Sequence, residues 1–120
     1  MGEISPYFFS IERVFMAKNI ILCCANGITT TMLKKKMVEA ITAKGLNMEV
    51  NAYPYMELDK YGDNADIIFV GPQIRYNYNK IKNTYTNAKV LMVDAQVLAY
   101  TDGEKLVNIA CEELGLWIAN

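Results

Sequence analysis

A chain of 120 residues with 52% hydrophobic and 21% charged residues is long enough for one domain with a substantial core and too short for two of ordinary size. The same composition excludes a disordered chain, which would be poorer in aromatic and β-branched residues and more one-sided in charge. A net charge of -1 gives no global attraction to nucleic acid or an anionic membrane, so any anion site must be local, built from backbone dipoles and a few side chains.

Three cysteines, two of them adjacent, suit neither a disulfide framework nor a zinc site with CxxC spacing, and predict a reducing cytoplasm. The absence of histidine excludes a histidine base, a histidine metal ligand and a phosphohistidine within this chain. No run approaches the roughly 18 to 20 apolar residues of a membrane span, and MGEISPYFFSIERVF lacks a basic n-region and a sustained apolar stretch. The expectation is therefore a cytoplasmic chain without direct membrane insertion. MAKNIILCC, from Met16, itself looks like a natural protein start, so 1–15 reads as an extension of unknown role and 16–120 as the domain.

NIILCC (19–24) is a short, nearly all-apolar run, and TTMLKKKMVEAITAKG after it places Leu33, Met37 and Ile41 at i, i+4, i+8. This spacing predicts a strand and then a helix closed by Gly45. MEVNAY (48–53) alternates Met48, Val50 and Ala52 against Glu49, Asn51 and Tyr53, the pattern of an edge strand with one wetter side. PYMELDKYGDN (54–64) reads as a short helix and a loop. ADIIFVG (65–71) is a fully apolar strand, and IRYNYNKIKNTY places Ile74, Tyr78, Ile81 and Tyr85 on one helical face. AKVLMVD (88–94) is a fourth strand, and DGEKLVNIACEELGLWI a closing helix that buries Leu106, Ala110, Leu114 and Trp117. Strands alternating with helices predict an α/β fold, a single-domain three-layer sandwich with helices on both faces of a four-stranded parallel sheet. An edge-like second strand beside two apolar ones gives the order 2-1-3-4.

Ligands of such sheets bind beyond the C-terminal strand ends, where the strand order reverses, here between strands one and three. The loops ending there are CCANGITTT and GPQIRY. Consecutive strand residues point to opposite faces, so Cys23 and Cys24 cannot both face the loop. Cys24 is the expected exposed one, since Cys23 completes the hydrophobic run. Ala25, Asn26 and Gly27 are small or turn-prone and let backbone N–H groups converge on an anion. A helix starting near Thr29 would aim its dipole at the same point and acidify the thiol, giving a nucleophile for phosphorus with a cradle in place. The hydroxyls of Thr29, Thr30 and Thr31 either donate to phosphate or cap the helix. Cys23 and Cys111 read as inert core thiols, and Lys34, Lys35 and Lys36 as a solvated helix face. In the second loop Gly71, Pro72 and Gln73 are expected to wall the crevice, with Tyr76 facing it. Arg75 meets a partner, the phosphate or solvent, and Asp94 and Asp102 are expected near the same sheet edge without a catalytic role.

With CANGITTTML after the first strand, ADIIFVGPQIRY at the third and DGEKL opening the last helix, the chain resembles the IIB component of the bacterial sugar phosphotransferase system, in its lactose/chitobiose/cellobiose family. The resemblance spans about 17–118 in order and spacing. Asn26 stands where that family usually has a smaller residue, and threonines replace a serine/threonine mixture. The resemblance implies that Cys24 is phosphorylated, within a loop of Ala25, Asn26, Gly27, Ile28, Thr29, Thr30 and Thr31. It also implies a IIA phosphohistidine protein as donor and, as acceptor, a sugar carried by the membrane IIC permease. No cofactor and no metal are implied. Ile28 and Met32 are candidates for an apolar contact patch.

Two other readings use the same loop. A low-molecular-weight phosphatase or arsenate reductase places a cysteine loop there, but its C-x5-R arginine falls on Thr30, and its Asp-Pro acid has no counterpart because the three prolines follow Ser5, Tyr53 and Gly71. The lost electrostatic stabilisation counts against hydrolysis. A non-catalytic flavodoxin-like module would keep the anion site and make Cys24 incidental.

Overall fold

The computed structural model describes residues 17–24 and 28–115. Strand β1 (Lys18–Cys24) leads into helix α1 (Ile28–Lys44) and strand β2 (Met48–Pro54). The return to β3 (Ile67–Val70) passes through the single turn α2 (Leu58–Tyr61), flanked by 3-10 turns at Tyr55–Glu57 and Gly62–Asn64. A 3-10 segment, Pro72–Asn77, then precedes α3 (Tyr78–Thr84), β4 (Lys89–Met92), α4 (Ala95–Ala99) and α5 (Gly103–Leu114). All strand pairs are parallel, in the order β2-β1-β3-β4, as the residue pattern predicts.

The period of two along β1 divides the core. Ile20 and Leu22 pack with Leu33, Met37 and Ile41 of α1 and Leu106, Val107 and Ala110 of α5. Ile21 and Cys23 face the other way, with Leu58, Ile68, Val70, Ile74 and Ile81. At about 25 cal/mol per Å² of apolar surface, these two layers supply most of the driving force. β2 is the predicted edge, with Met48 and Val50 buried and Glu49 exposed.

Three expectations shift. Ile74, Tyr78, Ile81 and Tyr85 do line one side of the second core layer, but not on one helix. Proline at the segment's start and the non-helical Ile74 (φ -117, ψ 31) break it into a 3-10 piece and a seven-residue α-helix. The closing helix stops at Leu114 because Gly115 takes the left-handed conformation (φ 68) and its amide closes on Cys111 and Glu112 carbonyls. Leu114 is half-buried; Trp117, like 1–15 with its proposed extension, lies outside the described residues. Helix α4 is an element that the sequence pattern did not signal. It exists because the Asp94 carboxylate caps the Gln96 amide at 2.9 Å and Val97 packs into the first layer.

Helix caps govern the turns. Gly45 (φ 67) ends α1 with paired bonds from its own amide to Thr42 O and from Leu46 N to Ile41 O. The same double bond pattern ends α4, from Thr101 N to Leu98 O and Asp102 N to Val97 O, with Thr101 at φ 46. Threonine there carries a steric cost that glycine does not.

Candidate active site

The reversal of strand order between β1 and β3 places the ends of these two strands side by side. Cys23 pairs with Val70, and the next amide along, Gly71 N, donates to Cys23 O at 2.8 Å. On the other side Cys24 pairs with Pro54 of β2. Cys24 is thus the last residue of the strand at the switch point, with helix α1 beginning at Ile28.

The two cysteines part as the alternation requires. Cys23 is 1% exposed and belongs to the second core layer, whereas Cys24 shares the direction of Ile20 and Leu22 but lies outside both hydrophobic clusters. Cys24 is nonetheless 7% exposed, less open than the sequence suggests, with Pro54 of β2 paired beside it. Burial pushes the Cys23 thiol up to about 12, and the adjacent Cys24 adds to the shift. Burial also raises the Cys111 thiol, with Lys44 opposing. Burial thus holds both thiols further from the reactive thiolate than an ordinary cysteine.

Of the candidate cradle, Ala25, Asn26 and Gly27 lie outside the described residues, as do the side chains of Ile28 and Thr29. Thr30 is in the first turn of α1 and 7% exposed. Thr31 is exposed, and Met32 is 47% exposed at the same end of the helix. Lys35 and Lys36 are solvated as expected, while Lys34 is half-buried.

In the second loop Gly71 is buried against the Cys23 carbonyl, Pro72 opens the 3-10 segment, and Gln73 folds its side chain back over Gly71. Tyr76 turns outward, 81% exposed, with the Arg75 guanidinium 4.7 Å from its ring centre and bonded to its hydroxyl at 3.0 Å. That pairing holds Arg75 on the surface. Asp94 and Asp102 both cap helices, α4 and α5. Asp102 lies away from the strand ends, in a cleft of about 710 Å³ between α1 and α5 lined also by Lys36, Lys44 and Tyr100. The DGEKL signature is accordingly a packing feature: a Cβ on Gly103 would come within 2.5 Å of Met37 N and 2.7 Å of the Lys36 carbonyl carbon. The burial of Thr30 and the fold-back of Gln73 went unread in the sequence. The sequence marked Gly71, Pro72 and Gln73 as a crevice wall without showing how Gln73 turns within it.

An open parallel sheet with a thiol ending the strand at its switch point defines an α/β domain whose chemistry concentrates at one crest. The model of the PTS system lactose/cellobiose-specific IIB subunit matches residues 19–109, and the chain belongs to that family. It is therefore a sugar phosphotransferase component, PTS denoting the phosphotransferase system. Over 90 residues it is 27% identical to the PTS system oligo-beta-mannoside-specific EIIB component of Bacillus subtilis strain 168, covering 73% of this chain and 87% of that protein. The fold matches the lactose-specific IIB component domain from Streptococcus pneumoniae with a TM-score of 0.72 at 16% identity, over 80% of this chain and 96% of that one. The cellobiose-specific IIB component from Borrelia burgdorferi gives a TM-score of 0.67 at 22% identity, over 80% and 90%. Among the described residues no helix is long and apolar enough to cross a membrane.

Proposed function

We propose that Cys24 is the phosphoryl carrier, charged by a phosphohistidine on a IIA protein and discharged to a sugar translocated by a membrane IIC permease. The observation that carries this reading is the position of Cys24, at the end of the switch-point strand and outside both core layers, while burial pushes the other two thiols away from ionisation. In the first step the Cys24 sulfur forms the S–P bond as the donor's N–P bond breaks, the N–P electron pair returning to the imidazole nitrogen, which takes up the proton that the thiol gives up. In the second a sugar hydroxyl attacks phosphorus, the S–P pair returns to sulfur, and the hydroxyl proton goes to a base on the partner. In-line approach and charge stabilisation by N–H donors at the start of α1 carry both steps without a metal.

The named relatives act on oligo-beta-mannosides, lactose and cellobiose, so the sugar is read as a β-linked disaccharide such as cellobiose, chitobiose or lactose. The chain works in the cytoplasm, peripheral to the inner face of the membrane through IIC. Exposed Met32 is a candidate contact for transient docking. Hydrolysis is disfavoured because the position of a phosphatase arginine is occupied by a buried threonine, Thr30.

The test is intact-mass measurement after exposure to a phosphorylated IIA donor. Wild type and Cys23→Ala gain one phosphoryl group and Cys24→Ala gains none. Label retained by Cys24→Ala would overturn the assignment.

A further inference from the structure

Gly71, the residue after β3, has an ordinary extended backbone (φ -67, ψ 150), a conformation open to any residue, so dihedral freedom does not explain a glycine there. Space does. A Cβ on Gly71 would lie 2.8 Å from Gln73 Oε1, 3.4 Å from the Cys23 carbonyl oxygen and 3.8 Å from Cys24 Cα. The Gln73 carboxamide oxygen and the Cys24 Cα thus both border the small space that a side chain on residue 71 would take. The loop fills that volume with a polar group drawn back over the strand end, although Gln73 as a whole is exposed.

A carboxamide brings two N–H donors and one acceptor on a plane whose terminal torsion is broad and two-fold, so either limb can turn to a ligand. Beside a phosphoryl group it donates a hydrogen bond without adding positive charge. It therefore fixes the phosphoryl oxygens without the guanidinium-type stabilisation that promotes attack by water. We propose that Gln73 binds the phosphoryl group on Cys24 through its Nε2, and that residue 71 is glycine to leave room for that carboxamide. This rests on the reading of Cys24 as the carrier.

The experiment follows the rate of phosphoryl transfer from a phosphorylated IIA donor by quenched-flow intact-mass analysis. It compares wild type, Gln73→Ala, Gln73→Glu, Gly71→Ala and the Gly71→Ala/Gln73→Ala double variant, each checked for folding by circular dichroism. Gln73→Ala slows transfer by about 10-fold to 100-fold, the worth of one hydrogen bond to a charged group. Gln73→Glu slows it further, because a carboxylate faces the phosphoryl oxygens. Gly71→Ala slows it by displacing the carboxamide, and the double variant is no slower than Gln73→Ala alone, since the second change has nothing left to displace. A second readout is the ³¹P shift titration of the cysteinyl phosphate, whose last proton is held more tightly once the donor is gone. Wild-type rates in both Gln73 variants, or Gly71 and Gln73 effects that multiply, would overturn the proposal. If Cys24→Ala loses the label while the Gln73 variants behave as wild type, the Gln73 role alone falls. If Cys24→Ala keeps the label, the carrier reading falls with it.

Discussion

Gly103, the first residue of α5, rests on the backbone of Met37 in the middle of α1, with room for a hydrogen atom and no more. The obstructing atoms are the Met37 nitrogen and the carbonyl carbon and Cβ of Lys36, all fixed by the backbone, so they cannot rotate aside. Gly103→Ala is expected to destabilise the fold by about 1–3 kcal/mol, the range of overpacking. Its urea midpoint falls, while on the carrier reading phosphoryl acceptance per folded molecule stays at the wild-type level, because the contact lies away from Cys24.

A pH dependence follows from Cys23. Its folded-state value is about 12 against an ordinary 9.0, so between these limits the unfolded chain releases a proton that the folded one retains. The unfolded state then binds fewer protons, and stability falls as pH rises, at about 1.4 kcal/mol per pH unit from this group. Below pH 9 the contribution is fully present. Comparing urea midpoints of wild type and Cys23→Val at pH 8 and pH 10 gives a shallower alkaline loss in the variant. Equal slopes would show that Cys23 ionises freely in the fold.

Gly45 and Thr101 occupy the same place in two helix-ending turns with the same pair of hydrogen bonds, at φ 67 and φ 46. The left-handed conformation costs an L-residue about 1–2 kcal/mol, from which the extra chain entropy of glycine subtracts about 0.5–1. Thr101→Gly is therefore expected to stabilise by roughly 0.5 kcal/mol, and Gly45→Thr to destabilise by a comparable amount or more. Thermal melts of the two variants check the pair. A destabilised Thr101→Gly would mean that the hydroxyl's 2.7 Å bond to Tyr100 O outweighs the backbone strain.

Thr30 separates capping from phosphate binding. It is buried in the first turn of α1, so Thr30→Val preserves its shape while deleting the hydroxyl. On the carrier reading this variant slows phosphoryl acceptance about 10-fold or more, through loss of a hydrogen bond to a charged group, and Thr30→Ser restores most of the rate. A slowed Val variant that is equally destabilised to urea would assign the hydroxyl to the helix instead.

Local rules carried the sheet and the opposition of the cysteines. The alternation in MEVNAY marked β2 as the edge, and period two alone separated Cys23 from Cys24. What escaped was set by contacts distant in the chain. Helix α4 depends on a cap and on Val97 reaching the first core layer. The helical periodicity from Ile74 to Tyr85 was real, but it could not show the break imposed after Pro72. Gly103 looked like part of a functional signature, and only the approach of two helices reveals it as a spacer. Cys24 was placed correctly at the strand end, yet its burial beside Pro54 of β2 is something that no local pattern displays.

The hydrogen bond from Gly71 N to Cys23 O gives the molecule a built-in spectroscopic probe. The accepting carbonyl belongs to the peptide unit that joins Cys23 to Cys24, so a change of charge on the Cys24 sulfur alters the polarisation of that unit. The Gly71 amide proton, sitting on a neighbouring strand and carrying no chemistry itself, registers the change in its resonance. On the carrier reading, a single backbone signal from the residue after β3 would thus report the charging and discharging of Cys24 in real time, without a label on the phosphoryl group or the sugar.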